Sequence, residues 1–192
     1  MRVCLKLAGM KFRPVAIALA RGFTMIELLI VIAIVAILAT IAVPSLRDTL
    51  NDFRQKSALA LLASDLNQAR GEAIKRNTRV LLCVRNTAGN GCADSTNWLL
   101  GWVACTDGNG DNICDTSSAT NPNPFIVRPA LDASLTLSVQ DAGATALSTI
   151  RFNANSSQGA GSSAATLALS GTWSGAVSHT ITVAGTGHIS KQ

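Results

Sequence analysis

Hydrophobic positions follow three regimes along the chain. From residue 23 to residue 43, 21 positions carry a single charge, Glu27, in a run of Leu, Ile, Val and Ala. A run of that length is helical and long enough to cross a hydrocarbon core of roughly 30 Å. Beyond Pro44 the apolar residues recur at steps of three and four, at Leu46, Leu50, Phe53, Leu59, Leu62, Leu66, Ala69 and Ala73. Arg47, Asp48, Asp52, Arg54, Lys56 and Asp65 fall between them. This pattern predicts that the helix continues over 44–77 with one apolar stripe. Pro44 lacks the amide that would bond the carbonyl of Thr40, so a kink is expected near it.

After Asn77 the period changes to two. Short strands are predicted over 78–85, 98–105, 125–128, 135–139, 149–152, 166–169, 180–183 and 188–190, separated by turns such as Ala88-Gly89-Asn90-Gly91. One long helix followed by short strands defines an α+β fold, the second half of the helix packing on a mainly antiparallel sheet. The expected organisation is a leader over 1–22, a transmembrane helix over 23–43, an amphipathic helix over 44–77 and one β-rich domain over 78–192.

Charge sharpens this picture. The formal net charge is +5, but five of the 16 basic residues (Arg2, Lys6, Lys11, Arg13 and Arg21) precede Phe23, and all 11 acids follow it. Beyond residue 22 the balance is 11 against 11, so the basic character belongs to a membrane flank and not to a nucleic-acid-binding domain. By the positive-inside rule the flank stays in the cytoplasm and the rest of the chain lies across the membrane, which makes it single-pass. A secretory signal peptide built on residues 15–20 is too short, and Arg21 closes it where small residues should stand. Met10 is an alternative start. Glu27 is costly in such a segment, about 2.5–3.5 kcal/mol at mid-bilayer on insertion scales, and calls for a partner that arrives when the helix packs.

Cys4 lies in the leader, which leaves Cys83, Cys92, Cys105 and Cys114, an even set with three possible pairings. Cys83/Cys92 and Cys105/Cys114 each bracket a Gly/Asn/Asp-rich turn, so two local disulfides are the simplest connectivity in an oxidising compartment. Free buried thiols are the second reading. A four-cysteine zinc site ranks last, because its short Cys-x2-4-Cys pairs are absent.

The block Arg21-Gly22-Phe23-Thr24-Met25-Ile26-Glu27 after a basic leader resembles the type IV prepilin signal of pilins and secretion pseudopilins. The resemblance implies that a prepilin peptidase and N-methyltransferase cuts after Gly22 and methylates the amine of Phe23. It also implies that Glu27, fifth in the processed chain, joins subunits by meeting the Phe23 amine of a neighbour, and Pro44 stands where pilins carry a proline. Further on, the strand after Lys75-Arg76-Asn77-Thr78, the piece Gly101-Trp102-Val103 with its Asp-x-Asn-x-Asp loop, the Arg128-Pro129 step and a terminal strand with glycine turns are similar to the GspH/FimT group. That group implies a minor pseudopilin of type II secretion or a minor pilin of type IV pili, single-pass in the bacterial inner membrane with its C-terminal domain in the periplasm. Its partners would be other pilin-like subunits, the inner membrane, and secreted cargo or DNA.

Motifs of catalysis are missing: no Gly-x-Ser-x-Gly elbow, P-loop or His-Glu-x-x-His is present, and His179 and His188 have no acidic or nucleophilic neighbour in sequence. The chain is expected not to be an enzyme, with no cofactor beyond weak calcium. The calcium candidates are Asp107, Asn109, Asp111 and Asp115, whose spacing matches the start of a calcium loop, although Asn112 replaces its glycine and Ser118 its closing glutamate. The competing reading is an Asn/Asp/Gly turn that bonds its own backbone. FimT-type pilins that bind DNA in natural transformation imply a C-terminal Gly-Arg-x-Arg, where this chain has Gly187-His188-Ile189-Ser190-Lys191. Arg76, Arg79 and Lys191 are the DNA candidates, set against a solvated helix end whose cations complement the macrodipole.

Overall fold

The computed structural model describes residues 22–118, 122–155, 157 and 164–192, without the side chains at 41 and 43–45. The chain divides into two compact units, 1–43 and 44–192. One helix, α1 (Met25–Arg76), is assigned without interruption. Residues 1–21 of the expected 1–22 leader and the side chain of Pro44 lie outside the described residues, and so does the expected kink. Among the described residues no helix is long and apolar enough to cross a membrane. The undescribed side chains at 41 and 43–45 fall in or beside the 23–43 run, so the span rests on the sequence.

Among the described residues eight strands follow: β1 (Val80–Val84), β2 (Trp102–Thr106), β3 (Ile126–Val127), β4 (Leu135–Gln140), β5 (Thr149–Phe152), β6 (Ala165–Gly171), β7 (His179–Val183) and β8 (Ile189–Lys191). All pairings are antiparallel. The single sheet expected from the sequence is two four-stranded sheets, in the orders β3-β2-β1-β5 and β4-β6-β7-β8. Alternation explains each inner face. In β4, Leu135, Leu137 and Val139 are buried while Thr136, Ser138 and Gln140 are exposed. One core joins both sheets to the helix through Leu62, Leu66, Ala69, Val80, Leu82, Trp102, Phe152, Leu167 and Ile181.

The apolar stripe of α1 differs from the pattern in the sequence. Leu46, Leu50 and Phe53 are exposed, and burial begins at Gln55 and Ala58, continuing through Leu62, Ala63, Asp65, Leu66, Ala69 and Ala73. The core-facing stripe starts where the sheets start, so the three earlier apolar residues have no sheet beneath them. Gln55 donates to the carbonyls of Leu169 (3.0 Å) and Val177 (2.6 Å), which ties the helix to the second sheet. Asp65, expected among the solvated positions, is fully buried. Its carboxylate accepts from Trp102 Nε1 at 2.8 Å and from Arg128 Nε and Nη2 at 2.9 and 2.8 Å. A buried carboxylate persists only when its oxygens are satisfied in this way.

The strand expected over 98–105 begins late. Residues 98–100 form a 3-10 turn capped by the Asn97 side chain, which accepts from Leu99 N at 3.2 Å. Gly101 then reverses the backbone at φ 90°, and a Cβ there would lie 2.3 Å from the Arg128 carbonyl oxygen. Only glycine combines that φ with so close an approach. The turn buries Trp98, whose Nε1 donates to the Leu147 carbonyl at 2.7 Å.

Candidate functional site

Residues at the start of the described chain are built for a helix end. Thr24 Oγ1 accepts from the amide of Glu27 at 3.2 Å, and the Thr24 carbonyl accepts from the amide of Leu28 at 3.2 Å. Thr24 is therefore the N-cap and Glu27 the third helical residue, the Thr-x-x-Glu order of a capping box. The negative charge of Glu27 also suits the positive end of the helix dipole. Gly22 has open space around the position of an added Cβ, and Phe23 is 77% exposed. Glu27 is exposed, as are Met25, Ile26 and the apolar residues Leu28–Ile32, Ile34, Val35, Ile37 and Leu38.

The loop after β2 is arranged around its own donors. Asp107 is buried and accepts from Arg79 Nε at 3.0 Å, from Arg79 Nη2, and from the amides of Gly110 (2.8 Å) and Asn112 (3.0 Å). Asp111 accepts from the Ile113 amide and from Asn109 Nδ2, both at 2.8 Å, and these bonds hold its carboxyl below the usual range. Asp115 accepts from the Gly108 amide at 2.9 Å. The calcium candidates thus form a self-bonded turn in which a cation would have to displace the guanidinium of Arg79.

The same ion pair commits one of the DNA candidates. Arg76 is committed too: its Nε lies 2.5 Å from Glu72, and its guanidinium sits 5.0 Å from the centroid of the Phe125 ring. That hydrogen bond lowers the Glu72 carboxyl from its ordinary value, burial opposes the shift, and Lys75 adds to the lowering. Lys191 is exposed on β8, at the edge of the second sheet, whereas Arg79 precedes β1 in the first. Sequence reasoning missed the Asp65–Arg128–Trp102 network. The available signal was an acid standing three residues after Leu62 and four before Ala69, in register with the apolar stripe.

Two disulfides, Cys83–Cys92 and Cys105–Cys114, each with Cα atoms 5.4 Å apart, pin the loops that follow β1 and β2. The first loop is a hairpin held by Asn86 N to Gly91 O (3.0 Å) and Ala93 N to Val84 O (2.8 Å).

A capped N-terminal helix with a glycine before it, packed in its later part on antiparallel sheets, defines a type IV pilin-like protein. Residues 17–43 match the prokaryotic N-terminal methylation motif, and residues 58–187 match the family described as type II transport protein GspH. The chain belongs to that GspH family. The fold is shared with the Pseudomonas aeruginosa type IV minor pilin FimU in two crystal forms. For the P21 form the TM-score is 0.53 at 17% identity, covering 74% of this chain and 90% of that one. For the P65 form it is 0.50 at 17% identity, covering 71% and 91%. No curated protein matches the chain at a significant level. The family is one of structural pilin subunits and not of enzymes, and its members assemble with other pilin subunits. The methylation motif is that of a membrane-anchored pilin with a periplasmic domain.

Proposed function

We propose that this chain is a minor pseudopilin of the GspH type, a structural subunit of the periplasmic pseudopilus of a type II secretion system. The observation that carries the reading is the bare apolar helix of the first unit. Phe23, Met25 and Ile26 are 77%, 81% and 63% exposed, which a chain in water does not tolerate without lipid or a partner. Lipid serves that surface before assembly and the helices of neighbouring subunits serve it afterwards. Glu27 supplies register. Its charge is costly in a low dielectric and becomes tolerable when the processed amine of a neighbouring Phe23 reaches it, so addition of a subunit in one position is favoured over all others. The alternative, a FimT-type minor pilin that binds DNA, receives less support from the side chains, because Arg76 and Arg79 already hold Glu72 and Asp107.

Processing at Gly22-Phe23 is the first test. Intact mass and N-terminal sequencing of the membrane-extracted protein should give a mature chain that begins at a methylated Phe23. A start elsewhere, for example near Ala20, overturns the assignment. Co-purification with type II secretion pseudopilins, as opposed to a type IV pilus, then decides between the two systems.

A further inference from the structure

All five residues of β1 are buried, although Val80, Leu82 and Val84 alone face the core shared with the helix. The pairing Leu81↔Cys105 and Cys83↔Val103 puts these four residues on the opposite face of the first sheet. What covers that face is sulfur and loop. Cys83 and Cys105, both fully buried, stand diagonally across two adjacent strands, and each is bonded to a half-buried cysteine in the loop beyond its strand. The loop sulfurs of Cys92 and Cys114 lie 3.9 Å apart, and all four sulfurs fall within 4.8 Å of one another.

Tetrahedral zinc at the usual Zn–S distance holds its four thiolates about 3.8 Å apart. We propose that this cluster, when its two disulfides are reduced, is a four-thiolate zinc site. Two ligands come from rigid neighbouring strands and two from loops able to yield, so the donors converge without the short cysteine pairs of zinc ribbons. Thiolate donors also select a soft cation over calcium or magnesium. A zinc ion with four thiolates carries a net charge of −2, and a cation stands beside it. Arg151 lines the same cavity, of about 450 Å³, as Cys92 and Cys114, and its buried Nε has no hydrogen-bond partner among the described residues.

The chemistry balances in two steps. A dithiol or phosphine reductant delivers two electrons to each disulfide and is itself oxidised. Four thiols result after uptake of four protons, and zinc then displaces those protons to solvent as the four Zn–S bonds form. Disulfide and zinc states exclude each other, so oxidation closes the site.

The test uses the full chain in detergent micelles, reduced with a phosphine without oxygen and then given Zn²⁺, or Co²⁺ as a coloured substitute. The expected result is one zinc per reduced chain after gel filtration and none in the oxidised chain. Cobalt should show the thiolate charge-transfer and tetrahedral bands of a four-sulfur site. Cys92→Ser should weaken zinc binding at least tenfold, and Cys92→Ser/Cys114→Ser should abolish it. Should reduction loosen the fold, the buried Trp98 and Trp102 report it, and zinc should restore their native emission. Absence of the cobalt bands, uptake without native tryptophan emission, or equal uptake by the double variant would each overturn the proposal.

Discussion

Asp65 shows how much one residue holds. It is buried on the helix, and it joins α1 to β2 through Trp102 and to the segment after β3 through Arg128. The carboxylate raises the affinity of Arg128 for its proton. Asp65→Ala leaves a guanidinium and an indole N–H without their acceptor. Breaking a buried pair costs about 3–5 kcal/mol, and the side chain of Arg128 is 34% exposed and partly resolvated, so the expected loss is near the lower end, about 3 kcal/mol. Urea unfolding followed by tryptophan emission measures it. Asp65→Asn should cost less, since it keeps an acceptor for Trp102. A loss below about 1 kcal/mol for Asp65→Ala would show that water replaces the carboxylate freely.

At the scale of elements, the end of α1 and the two pinned loops each carry a prediction. Glu72 has its folded-state pKa depressed by Arg76 and Lys75. Its contribution is therefore complete above the ordinary value of 4.5 and fades as pH falls through the lower, folded value. Glu72→Gln should lower the unfolding free energy at pH 7 by no more than a surface pair allows, about 1 kcal/mol or less. The difference from wild type should vanish in acid, and a constant difference across pH would mean that packing, not charge, is lost. The disulfides close loops of sequence separation 9, and loop-closure entropy predicts about 2–3 kcal/mol from each. Cys105→Ser/Cys114→Ser should show that loss in chemical unfolding, and proteolysis should then cut first within the loop 107–118. Unchanged stability would mean that the Arg79–Asp107 pair and its amides hold the loop unaided.

For the whole molecule, the prediction concerns assembly. Glu27→Ala removes a charge from an apolar segment, so membrane insertion should be intact or easier. Crosslinking to other pilin-like subunits should nevertheless be abolished, while Arg76→Ala and Lys191→Ala should leave it unchanged. Normal incorporation of Glu27→Ala into filaments would remove the registry mechanism. Measured on the same preparations, retardation of duplex DNA that weakens with salt, with a salt slope that becomes shallower by about one unit per lost basic residue, would favour the FimT-type reading instead.

The sequence by itself determined the elements whose cause is local. A 3.6-residue period announces the helix whatever it packs on, a period of two announces strands, and Thr24 and Glu27 write the cap of α1 within four residues. The Gly22-Phe23 block is likewise a local signal, recognisable before any fold exists. Tertiary structure decided what depends on residues far apart. Asp65 looks solvated until Trp102 and Arg128, 37 and 63 residues away, supply its hydrogen bonds. Leu46, Leu50 and Phe53 continue an apolar period but meet no sheet, because a helical pattern carries no information about where its partner ends. The aspartates after β2 carry the spacing of a cation site, yet Arg79, 28 residues earlier, already occupies Asp107. Nine-residue spacing fails to bring four cysteines together along the chain. Antiparallel pairing of β1 with β2 does, since it sets Cys83 and Cys105 on one face of adjacent strands.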